Sequence, residues 1–71
     1  MDNILIAKDE LFGRLKRYRE VVGASVRNSE TGKQYIVILL SRFTKKIISH
    51  IPTYYMGNEV KHEIIGRVKR L

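Results

Sequence analysis

Apolar positions along the chain change their period three times, and each change marks an element. Ile4, Ala7, Leu11, Leu15 and Tyr18 recur at spacings of three and four, with Leu5 and Phe12 widening the stripe. That periodicity predicts an amphipathic helix, with Asp2 placed to serve as its N-cap. Gly13 within the stripe costs about 1 kcal/mol relative to alanine. The alternative is therefore a helix that starts near Asp9 after a short strand at Ile4 to Ile6; one continuous helix is preferred.

From Val21 to Asn28 the period falls to two, with Val22, Ala24 and Val26 on one side and Gly23, Ser25 and Arg27 on the other. This predicts a half-buried strand. Ser29-Glu30-Thr31-Gly32 supplies turn chemistry, with Gly32 free to take positive φ, before a second β-rich run from Tyr35 to Leu40. The two runs read as a hairpin. Because the second is apolar on both faces, it is expected to be central in a sheet or buried in a dimer.

Ser41 is placed to cap a short helix that carries Phe43, Ile47, Ile48 and Ile51 inward. Pro52 lacks an N–H to continue it, so the helix is expected to end near His50. Thr53 to Asn58 reads as a loop, and Val60, His62, Ile64, Gly66 and Val68 then alternate as a third strand. The order α-β-β-α-β predicts an α+β fold, a single domain over residues 1–71. Its two helices lie on one face of a three-stranded antiparallel or mixed sheet.

A right-handed crossover through the second helix sets strand three parallel to strand two, with antiparallel pairing to strand one as the expected remainder. The face of the sheet without helices is expected to expose Ile36, Ile38, Leu40 or Ile65, a patch that self-association would hide.

Composition sharpens this picture at three points. An apolar fraction of 44% is that of a chain that folds, but 71 residues lie near the lower limit for an unassisted core. The sequence has no cysteine, so no disulfide reinforces the fold. Met1-Asp2-Asn3 lacks the basic start and apolar stretch of a secretory signal, and the run Ile36 to Leu40 is too short to span a bilayer. A cytoplasmic protein is expected, with no membrane partner. Enrichment in Ile, Val, Lys and Arg, with one Gln and three Asn, is compatible with a thermophilic source.

Charge changes the picture most. Fourteen Lys and Arg against seven Asp and Glu give a net charge of +7, which attracts polyanions over about a Debye length. Excess charge also serves solubility alone, so position has to decide. Arg14, Lys16, Arg17 and Arg19 surround Tyr18 at the end of the first helix, and Lys45 and Lys46 lie on the second, one turn after Arg42. Cations at a helix C-terminus also offset its macrodipole, a role that needs no ligand. A third cluster, Arg67, Lys69 and Arg70, lies at the end of the sequence. Backbone phosphates require only positive charge within reach, so such clusters suit binding without strong sequence specificity.

The aromatic and titratable residues add less. Tyr54 and Tyr55 are candidates for stacking against bases, although covering the edge of the core is the more frequent use of such tyrosines; Tyr35 is equally ambiguous. His62, on the apolar side of its strand, reads as a core histidine, and His50 as a partner for terminal helix carbonyls. Glu59 and Glu63 fall on the opposite side of the strand from His62, so no acid–base dyad is indicated.

Serines and threonines sit in strand, turn or cap contexts, and the glycines form no phosphate-binding or dinucleotide pattern. The aromatic signature of RNA-recognition motifs and the Gly-x-x-Gly loop of KH domains are missing.

The sequence thus points to a small basic binding module and not an enzyme, with no cofactor or metal. Arg14, Lys16, Arg17, Arg19, Lys45 and Lys46 are its candidate contacts to nucleic-acid phosphates. The rival expectation is a protein-interaction or structural subunit that forms a homodimer through the open sheet face.

Overall fold

One helix occupies the first apolar stripe. In the computed structural model, which describes residues 3–65, α1 spans Asn3–Leu15 without a break at Gly13. Asp2, Gly66, Val68 and the cluster Arg67, Lys69 and Arg70 lie outside the described residues. Ile4, Ala7, Leu11 and Leu15 are all buried, so a continuous apolar seam outweighs the propensity cost of one glycine. Gly13 itself is exposed, and a Cβ added there meets nothing within 4 Å.

The hairpin forms as the alternation predicts. β1 (Val21–Asn28) pairs antiparallel with β2 (Gln34–Leu40). Its turn is closed by Gly32 N–H donating to the Ser29 carbonyl at 2.9 Å, with Gly32 at φ 87°. The expected side-chain pattern fails at one residue. A bulge between Val21 and Gly23 shifts the register, so Val22 is exposed while Ala24 and Val26 pack against the core.

Ser41 does not cap the second helix. Its N–H donates to the Glu20 carbonyl at 2.8 Å and so prolongs the strand pairing. Thr44 is the N-cap of α2 (Lys45–His50), its hydroxyl accepting from Ile47 N–H at 3.2 Å. Starting the helix three residues later turns Phe43 outward, where it is exposed and lies 6.1 Å from the His62 ring. Ile47 alone of the expected inward set is fully buried; Ile48 and Ile51 pack partly against the core.

The loop expected at Thr53 to Asn58 contains a further strand. β3 (Tyr54–Tyr55) turns tightly through Met56 and Gly57 into β4 (Asn58–Ile64). Both turn residues adopt positive φ, 52° at Met56 and 81° at Gly57, as a two-residue hairpin loop requires. Asn58 fixes the turn, its amide donating to the carbonyls of Tyr55 and Met56 at 3.3 and 3.2 Å.

The sheet therefore has four strands, ordered β1-β2-β4-β3. β4 runs parallel to β2, as expected, but does not pair with β1, because β2 lies between them. The fold class stands: α+β with a mixed sheet and two helices.

Ile36, Ile38 and Leu40 of β2 join Ile4, Ala7, Leu11, Leu15, Val21, Ile47 and Val60 in one core. They face the helices and are fully buried, so the patch expected from them on the open sheet face does not exist. The open face is closed differently. Arg27 of β1 and Glu63 of β4 form an ion pair, and because β2 separates their strands the pair passes over Val37, which is buried. Lys61 lies 4.8 Å from the centre of the Tyr35 ring and 4.0 Å from the Glu59 carboxylate. The apolar run of β2 is thus covered by helices on one side and by long polar side chains on the other.

Candidate nucleic-acid interface

Only Arg14 of the first cationic cluster is helical. α1 ends at Leu15, and residues 16–20 form a compact turn into β1, held by Lys16 N–H to the Phe12 carbonyl and Tyr18 N–H to the Leu15 carbonyl. The turn separates residues that helical spacing would put on one face. The Arg14 guanidinium lies 5.9 Å from the centre of the Tyr55 ring, whereas that of Arg17 lies 5.5 Å from Tyr18.

α2 completes the arrangement. Arg17, Tyr18, Arg19 and Glu20 from the turn, with Lys46 and Ile47 from α2, line a depression of about 180 Å³. Three of the six expected contacts, Arg17, Arg19 and Lys46, therefore surround one hollow. Arg14 stands apart beside Tyr55, and Lys16 and Lys45 are exposed. No carboxylate of a described residue comes within ion-pair distance of any of the six. Glu20 contributes the hollow's one carboxylate.

Two residues here were given other roles by sequence alone. Tyr18 extends the apolar stripe of α1 and does pack partly against the core. It also stacks on His50, with ring centroids 4.9 Å apart and planes 18° from parallel. His50 thus meets an aromatic ring and makes no hydrogen bond to the helix carbonyls. The signal available in the sequence was the spacing of four between Lys46 and His50, which sets both on one side of α2.

The tyrosine loop does not join this site. Tyr55 turns inward, donates its hydroxyl to the Glu10 carboxylate at 3.1 Å and packs against the core. Tyr54 is exposed and lines a different hollow of about 340 Å³ with Ile4, Lys33 and Glu59. That hollow lies by the first turn of α1, and the cationic depression by its last, about 20 Å away along a 13-residue helix.

His62 pairs in register with Ile38 but is exposed, with the Phe43 ring 6.1 Å away. Glu59 and Glu63 occupy the opposite face, paired with Lys61 and Arg27. Among the described residues no three His, Asp or Glu side chains gather as a metal site, and no helix is long and apolar enough to cross a membrane. Comparison of the chain with protein-family models, curated proteins and solved structures finds no match.

Proposed function

We propose that the protein is a small nucleic-acid-binding module that contacts phosphates without strong sequence specificity. One observation carries the reading: Arg17, Arg19 and Lys46, from two separate elements, surround one depression without a direct carboxylate partner among the described residues. Cations left unpaired keep their full attraction for an external anion, and gathering them raises the local potential beyond what net charge alone provides. Arg14, Lys16 and Lys45 are exposed cations outside the depression and extend the reach of the module along a phosphate chain. A cytoplasmic setting belongs to this reading and is supported by the cysteine-free composition. No catalytic step is assigned to the module.

The test is the salt dependence of binding to fluorescent oligonucleotides. Affinity should fall steeply as salt rises, with a logarithmic slope of roughly −2 for three contacts to a single strand. Absence of binding to single-stranded and duplex DNA and RNA at about 50 mM salt would remove the proposal.

A further inference from the structure

Beside the cationic depression stands an aromatic column that phosphate contact alone does not use. Tyr18 is half-buried and anchored against the core, and His50 lies on it as the outer ring. One face of the imidazole is covered by Tyr18. His50 is exposed, and among the described residues Tyr18 is the only ring stacked on it. Neither ring nitrogen bonds to a described residue, so the ring's polar edge is also unspent.

Lys46, one turn earlier on α2, lines the depression together with Tyr18, Arg17 and Arg19. The site therefore sets a flat ring next to three cations, which is the combination that an unstacked base and its flanking phosphates require. A duplex keeps its bases stacked on one another and offers no free face to such a ring.

We infer that His50, backed by Tyr18, is a base-stacking platform, and that the ligand of the cationic depression is a single strand with an unpaired base. The inference rests on the phosphate-binding reading and adds the strandedness of the ligand. Stacking on a pre-set ring needs little ordering, because Tyr18 already fixes the outward orientation of the imidazole. It also tolerates any base, since every base has a π face, in keeping with binding that reads no sequence.

The experiment compares fluorescence anisotropy titrations of the full chain at low salt with four probes of about 15 nucleotides: oligo-dT, oligo-U, an abasic strand of the same backbone, and a duplex. The better of the two base-bearing strands should bind about tenfold more tightly than the abasic strand, and more tightly than the duplex. His50→Ala should abolish the difference between base-bearing and abasic strands. His50→Phe, which keeps a ring and removes the titratable nitrogens, should retain it. Both substitutions lie on an exposed side chain, and circular dichroism checks that each variant is folded.

Equal affinity of the wild type for base-bearing and abasic strands, or a His50→Ala variant that still discriminates between them, overturns the platform while leaving phosphate contact standing. Failure of every probe to bind at low salt overturns both readings.

Discussion

Two of the molecule's cation–tyrosine pairs differ in what surrounds them. On the open sheet face Lys61 lies over Tyr35, yet Glu59 stands beside it and Glu63 engages Arg27 across β2. At the end of α1, Arg17 lies near Tyr18 with Arg19 and Lys46 around the same hollow, which Glu20 also lines, and among the described residues no carboxylate comes within ion-pair distance of these cations. The sheet face uses its charges to cover an apolar strand; the helix end leaves them available. Net charge does not distinguish the two. Pairing does, and pairing follows from strand register on one side and from the meeting of a turn with α2 on the other.

The contrast can be broken most directly by neutralising the helix end. Arg17→Ala, Arg19→Ala and Lys46→Ala combined should weaken oligonucleotide binding by roughly a hundredfold and flatten the salt slope by about 2, read by anisotropy across a salt series. The same number of cations removed from other exposed positions should cost far less.

A smaller effect is expected from Thr44→Ala, which removes the cap of α2 and should destabilise the protein by about 1 kcal/mol in denaturant titration. Because Lys46 and His50 both depend on that short helix, binding should weaken in the same variant. Smallest is the effect of Arg27→Ala. Its pair with Glu63 is close to half-exposed, so screening limits the loss to about 0.2–1 kcal/mol of stability. Oligonucleotide affinity should change little, and a large loss would show that the sheet face takes part in binding.

The elements were largely legible, and the reasons for the exceptions are physical. Continuous seams, such as Ile4-Ala7-Leu11-Leu15, announce themselves because every member is buried on one side of one helix. The turn at Met56 and Gly57 was missed as a hairpin because Met56 is not a residue that favours positive φ, and its partner strand is two residues long. Ser41 is the cap that the sequence suggests; Thr44 serves instead because Glu20, from across the sheet, takes the Ser41 N–H on its carbonyl. Ile36, Ile38 and Leu40 were expected on the open face because a run that is apolar on both faces does not reveal which side the helices take.

The candidate site was legible only in part for a related reason. Arg17, Arg19 and Lys46 were identifiable as cations, but their convergence depends on α1 ending at Leu15 and on where α2 returns. His50 gave no sign of its contact with Tyr18, since 32 positions of sequence separate the two rings.

The bulge at Val22 bears on how the edge of the sheet meets other chains. β1 is one of the sheet's two edge strands and is made mostly of small uncharged residues, a margin on which further chains readily add and fibrils begin. One additional residue interrupts the regular spacing of amide and carbonyl groups along that margin and increases its twist. An incoming strand then meets a broken ladder at the Val21 end of β1, while the regular stretch from Gly23 to Asn28 carries Arg27, a charge of the kind that discourages edge pairing.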